Sequence, residues 1–543
     1  MKRFKLFLAM AALACAIGLT VKYGSTYRPV VEPVREIEEI WALEDAREES
    51  GEPLVTRLFC NGIPMVYDAE NNVFYGSLGL ENGAQWPKIK LTASEETAKG
   101  LSLCFADDYG FDDCDAAIRE GYSYQIFAYT DTAYSYAEVV FTGLPLVNVT
   151  AEQTIEREDV PAQIEIALAA EGLQTNGRIH KRGGASILND KVGYKLEFTR
   201  TTDGKKKIYR EIPGMGTDSQ VILLPMNALD TTMMRDRLSW ALYARLTRRD
   251  EPFSARKTQY CELFLNGEYR GVYLMLEPFS VRQEVAKAGE ERLTTDSVYR
   301  TAVISLSHGR PCMEDPYSAA TGFELYYPMD GEPDFSPLAD YFALLGETED
   351  AAFMRRAAQI IDLDSALRYD VVLQLFGLTD NVINNMYTWA QNSRGNTRYR
   401  FDFWDLDVSW GLKRDEIGEM HENWVFFPLV DRLLRADEEG GVRKRYGEIY
   451  REVREKAFDT ETVEALVGQY AHELNDSGAM ARNAERWETE NYAADGYELV
   501  AFAAERIALL DEPVRAMSAG EEIDLRFLEK TNYDDKGTPL SEE

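Results

Sequence analysis

The chain has 543 residues, of which 45% are hydrophobic and 28% charged. That is enough apolar material for several packed cores, and it excludes a mostly disordered chain. Acidic residues outnumber basic ones 93 to 59, a net charge of −34, which disfavours a duplex nucleic-acid binder as a reading of the whole protein, because such a surface must be cationic to displace counterions.

The start, Met1-Lys2-Arg3-Phe4-Lys5, is basic, and an apolar run from Leu6 to Val21 follows. This is the shape of a secretory signal or an uncleaved membrane anchor over 1–22, and it points to export. Ala12-Leu13-Ala14-Cys15 resembles a lipoprotein processing site, with Ala in place of the usual Leu. Residues 23–55 are rich in Pro and Glu and read as an acidic linker with one short helix. From 56 to 150 short apolar alternations are separated by turn residues such as Asn61-Gly62 and Asn82-Gly83, which predicts a small all-β sandwich. The six cysteines include no CxxC pair, excluding a zinc ribbon or a thioredoxin-type site. Cys104 and Cys114 are candidates for a disulfide outside the cell, with buried thiols as the alternative.

Residues 160–330 begin with strands. Ile164, Ile166 and Leu168 alternate, 194–198 is a further strand, 230–247 a helix, and 260–276 a hairpin turning at Asn266-Gly267. Residues 331–518 read as mostly helical, over 353–368, 369–378, 442–473 and 499–517. One strand pair, 385–391 and 399–405, interrupts them, and an acidic tail occupies 519–543. Strands first and helices later predict an α+β domain of two lobes behind the sandwich.

Three local patterns carry chemistry. Residues 178–210 hold ten basic side chains against Asp190, Glu197 and Asp203, a cationic stretch in an acidic chain. Inside it Arg182-Gly183-Gly184-Ala185-Ser186 is a small-residue turn backed by Lys191 and Lys195. Such a turn lets backbone approach phosphate oxygens while lysines neutralise them; a plain hairpin with a solvated basic face is the alternative. Next, Asp380 and Asn385 stand five residues apart in a helix-to-strand loop, as the proton-accepting Asp and metal-binding Asn do in protein kinases. Last, Asp405 and Asp407 follow an aromatic strand in i, i+2 relation, a spacing that suits a hard cation. The order of these pieces is the order a kinase requires.

On these segments the chain resembles the spore coat protein H (CotH) family of atypical protein kinases. The resemblance rests on Arg182 to Ser186, Lys191, Tyr194 to Phe198, Asp230 to Asp236, Leu265 to Tyr273, Asp380 to Tyr387, and Trp404 to Asp407, and it spans roughly 160–515. It implies a two-lobed atypical protein-kinase-like fold, ATP with Mg²⁺ or Mn²⁺, and transfer of the γ-phosphoryl group to Ser or Thr of secreted, cell-surface or spore-coat proteins. By position it makes Asp380 the base, and Asn385 and Asp405 metal ligands supported by Asp407. Arg182, Gly183, Gly184 and Ser186 would cover the phosphates, Lys191 or Lys195 would bind them, and Glu277 would stand at the adenine hinge. The helix after Asp230 contains no Glu to pair with the lysine; Asp236 is the substitute, or Asp230 and Arg235 brace the site differently. The acidic balance favours a basic, Ser-rich protein partner. A non-catalytic scaffold of a coat or envelope, and ATP-dependent transfer of AMP or glutamate, are the competing expectations.

Overall fold

The computed structural model describes residues 30–32, 35–80, 89–94, 100–106, 114–183, 185–226, 230–247, 255–280, 284–285, 289–302, 322–328, 334–393, 395–412, 424–425, 427–487 and 495–521. The expected leader over 1–22, Gly184, Cys312 and the residues beyond 521 lie outside these residues. The described chain is a mixed α+β protein.

Its N-terminal unit is built on a mixed sheet in the order Val31–Glu32, Ser102–Phe105, Ser123–Tyr129, Ala133–Thr142, Val73–Ser77, Val66–Asp68, with Glu48–Glu49 also paired to Ala133–Thr142. Strand alternation decides its two faces. Leu103, Phe105, Ile126 and Ala128 share a core with Leu58, Leu91 and Ala93 of a small three-stranded sheet. The intervening Cys104 and Phe127 pack the other way, with Ile40 of the Ile37–Asp45 helix. Within the stretch expected to be a linker over 23–55, the described residues 30–32 and 35–55 are therefore part of this unit, which corrects the sequence expectation for them. Val31–Glu32 and Glu48–Glu49 join the sheet in parallel pairing, and the helix between them seats Ile40 on it. Nor is the unit all-β, because Cys114–Arg119 is helical. Cys104 and Cys114 belong to different cores, so they do not pair; Cys60, Cys104, Cys114 and Cys261 are buried thiols.

A closed seven-stranded barrel follows, in the order Leu146–Thr150, Val160–Leu168, Glu171–Arg182, Gly193–Thr199, Gln220–Leu224, Glu268–Leu276, Thr258–Leu265. The first of these strands has the alternation expected of the sandwich, yet it closes the barrel by pairing parallel to Thr258–Leu265. Val149, Ile164, Ile179, Leu196, Val221 and Met275 fill the interior. Their neighbours Ile222, Leu224, Val272, Leu274 and Leu276 face the large core shared with the helices. Lys195 lies opposite His180 and Ile222 in the register, which places it on that outward face.

The remaining helices surround a four-stranded antiparallel sheet in the order Phe323–Tyr327, Ser297–Ala302, Asn384–Ser393, Asn396–Phe403. The hairpin expected from sequence is thus one half of a larger sheet. Capping aspartates set the helix starts. Asp362 accepts the Ser365 N–H at 3.1 Å and begins Leu363–Phe376. Asp459 accepts the Thr462 N–H at 2.8 Å, so the helix expected over 442–473 is two, Gly441–Lys456 and Thr460–Asn475. Asp230 folds its own segment into a turn by accepting the Thr232 N–H at 3.1 Å and its hydroxyl at 2.6 Å, which delays the next helix to Arg235–Ala244.

Candidate functional site

The Leu363–Phe376 helix is anchored by buried Leu367, Val371 and Leu375, and it ends at Gly377, whose φ of 66° is left-handed. A Cβ there would come within 2.8 Å of the Phe502 ring, so glycine is needed on both counts. The reversal delivers Asp380 at the head of the short Asp380–Ile383 helix, buried at 7% exposure. Its Oδ2 accepts the Asn385 amide N–H at 2.8 Å, and its Oδ1 accepts from Asn384 at 3.3 Å. Asn385 has φ 57°, a conformation Asn adopts more readily than most residues. With its amide nitrogen spent on Asp380, its amide oxygen is the atom suited to a cation.

The acidic loop is stitched to this turn. The Trp404 N–H donates to Asn385 O at 2.9 Å. The Asn381 side-chain amide donates to Trp404 O at 2.7 Å and to Asn385 O at 3.3 Å. Asn381 is fully buried, and its Oδ1 has no hydrogen-bond partner among the described residues. Asp405, partly buried, follows with φ 57°, and Asp407 is partly buried two residues on.

The Arg235–Ala244 helix holds the loop from behind. Arg235 Nε donates to Ser409 O at 3.1 Å, the Leu406 N–H to Asp236 Oδ1 at 3.2 Å, Trp410 Nε1 to Ser239 Oγ at 2.8 Å, and Tyr243 OH to Asp402 Oδ1 at 2.6 Å. Arg235 also pairs with buried Asp230 and with Glu498. Burial first, and the nearby charges of Asp405 and Asp230 in addition, push the Asp236 carboxyl well above the usual carboxylate range. Asp236 therefore faces the acidic loop and not a lysine, and Asp230 with Arg235 forms the other brace.

The barrel contributes the facing cations. The Arg182 guanidinium stands 5.6 Å from the Trp404 ring centroid, beside Asp405 in sequence. Gly183 has φ 131°, and a Cβ on it would lie 2.4 Å from Ser186 Oγ, so the exposed Ser186 folds back over a turn that requires glycine. Lys195 makes no ion pair among the described residues; burial lowers its pKa, and repulsion by Lys207 and Arg182 adds to the effect. Lys191 goes elsewhere. Its Nζ donates to Val272 O at 2.6 Å and to Asn483 Oδ1 at 3.0 Å, fastening the barrel to the Ala479–Trp487 helix. Glu277 is tied to the adjoining strand, accepting the Lys257 N–H at 3.1 Å. The structure thus gathers Asp380, Asn385, Asp405 and Arg182, sets Lys195 on the same barrel face as Arg182, and holds Lys191 and Glu277 in other contacts.

Lys191 carries its own prediction. Burial lowers its pKa from 10.5 to about 7, and the two N–H donors of a neutral amine match its two oxygen partners. Between those pH values the unfolded chain binds a proton that the folded chain does not, so folding stability gains as pH rises from 7 to 10.5 and loses that gain as pH falls back. Denaturant unfolding of wild type and Lys191→Met across that window is expected to show the extra rise in wild type alone.

The donors near Asp405 and Asn385 are oxygens, which suits a hard cation such as Mg²⁺. Among the described residues no three His, Cys, Asp or Glu side chains cluster to enclose an ion. Asp405 and Asn385 therefore fit a cation that completes its shell with phosphate and water, as Mg²⁺ does. Asn381 and the Leu406 contact were not foreseen. Asn381 is visible only as another amide beside Asp380, and the Asp236–Leu406 contact joins residues 170 apart.

No curated protein matches the chain. The profile of a family described as "CotH kinase protein" matches residues 179–510, which contain Asp236, Asp380, Asn385 and Asp405. More than half of the chain lies within that match, and the chain belongs to the CotH kinase family.

Proposed function

We propose that the chain is an exported protein kinase that moves the γ-phosphoryl group of ATP to Ser or Thr hydroxyls of secreted, cell-surface or spore-coat proteins. The barrel and the helical half serve as its two lobes. One observation carries the reading: Asp380, Asn385 and the Trp404–Asp405 backbone form one hydrogen-bonded unit, with Arg182 across from it. Asp380, aimed by the Asn385 amide, accepts the proton of the attacking hydroxyl. Asp405 and the Asn385 oxygen hold Mg²⁺ or Mn²⁺, with Asp407 in support; the bound ion supplies charge neutralisation at the phosphate oxygens. Arg182 and Lys195 neutralise the same oxygens from the barrel, and the 183–186 turn covers them. Lys195, and not Lys191, takes the phosphate-binding role. Glu277 borders the adenine site through its backbone. The acidic surface steers basic, Ser-rich acceptors, and the 1–22 leader directs export.

The test is incubation of purified protein with labelled ATP, Mg²⁺ or Mn²⁺ and a basic Ser-rich peptide. Peptide label from the γ-position, falling as salt rises, is expected. No label and no ATP-dependent thermal shift would favour a scaffold instead. Label from the α-position alone would favour AMP transfer, and ATP-dependent incorporation of labelled glutamate would favour glutamylation.

A further inference from the structure

We propose that Asp236 is a positioning residue that fixes the backbone of Asp405 for cation binding; this deepens the kinase reading and rests on it. Asp405 has the left-handed φ of 57°, which Asp tolerates better than most residues but which still costs free energy that contacts must offset. One such contact is visible at the next peptide. The Leu406 N–H, whose orientation is coupled to the Asp405 backbone, donates to Asp236 Oδ1 at 3.2 Å. Asp236 is 4% exposed and lies on the Arg235–Ala244 helix. It is the member of the four-point attachment closest in sequence to Asp405, since the others grip Asp402, Ser409 and Trp410.

A carboxylate in this place has a visible cost. Asp405 and Asp230 both lie close enough to act on Asp236 electrostatically, while both adjacent arginines are turned elsewhere, Arg235 to Asp230, Ser409 and Glu498 and Arg237 to Glu473. A group placed for packing alone would be better apolar. What Asp236 supplies is an acceptor at the peptide that follows the ligand. Its value lies in preorganisation: a ligand already held in its binding conformation spends less of the cation's binding free energy on ordering.

The experiment uses the full chain and reads cation binding without phosphoryl transfer. Free Mn²⁺ is titrated by electron paramagnetic resonance in the presence of a non-hydrolysable ATP analogue. Amide hydrogen exchange is followed across 402–410. Asp236→Asn keeps an oxygen acceptor and is expected to bind Mn²⁺ within about threefold of wild type. Asp236→Ala is expected to bind at least tenfold more weakly, with faster exchange confined to 402–410. Equal Mn²⁺ affinity in Asp236→Ala and wild type overturns the proposal. So does an equal loss in Asp236→Asn and Asp236→Ala, because it would make the charge, and not the acceptor, the working feature. Should Asp236→Ala not fold, Asp236→Asn decides alone: near-wild-type binding with unchanged exchange supports the acceptor role, and a tenfold loss overturns it. A wild-type chain that takes up no Mn²⁺ would sink the kinase reading and this proposal together. Normal Mn²⁺ uptake with unchanged exchange in Asp236→Ala would sink this proposal only.

Discussion

Asp380→Asn is expected to lower the phosphoryl-transfer rate by about 10²- to 10⁴-fold, the usual range for loss of a positioned base, and Asp405→Asn by about 10²- to 10³-fold, the scale of one preorganised electrostatic partner. The reasons differ. Asp380→Asn keeps the shape that meets Asn385 but presents an amide where the attacking hydroxyl needs a proton acceptor. Asp405→Asn keeps the backbone of the loop and removes a full negative charge from the cation site. Single-turnover transfer from γ-labelled ATP separates them further. Raising Mn²⁺ is expected to recover part of the Asp405→Asn rate and none of the Asp380→Asn rate. Asp405 is only partly buried, so a thermal midpoint close to wild type is expected for Asp405→Asn. Asp380 is buried and accepts from Asn384 as well as Asn385, so Asp380→Asn is expected to lower the midpoint modestly. Transfer at wild-type rates in either variant would remove that residue from the mechanism.

The two lysines are expected to separate cleanly. Lys195→Ala is expected to lose ~2–4 kcal/mol of transition-state stabilisation, the scale of one preorganised charge partner. Lys195 shares its barrel face with Arg182, and its pKa is lowered by burial first, with repulsion by Lys207 and then Arg182 adding to it. Lys191→Met removes a contact to Val272 and Asn483 instead, so its effect belongs in stability and its pH profile. Measuring kcat and KM for ATP in both variants, beside their unfolding curves, checks the division. A Lys195→Ala enzyme with an unchanged kcat/KM would refute it.

These lysines also mark where sequence reading stops. Lys195 lies within the Gly193–Thr199 strand, where alternation sets its face, but Lys191 precedes the strand and has no parity to read. Its partner Asn483 is 292 residues away, and no local pattern announces it. That Asp380, Asn385 and Asp405 stand close together was legible because they flank one hairpin at fixed spacings. Helix 235–244 was legible as an element, while its four grips on 402–410 were not, because each is a long-range hydrogen bond. The acidic stretch before residue 55 was misread for another reason. Only Ile40 of its helix is buried, and one apolar residue makes no periodicity.

The parallel strand Leu146–Thr150 bears on how the molecule can be divided. The stretch that identifies the family starts at residue 179, inside Glu171–Arg182 and downstream of two strands on which the barrel closes. Excised at that limit, the matched portion would leave the Thr258–Leu265 edge unpaired and the Gly193–Thr199 strand short of its neighbour, an open seam prone to self-association. Recognisable ancestry and autonomous folding have different borders in this chain, and the second lies upstream of Leu146.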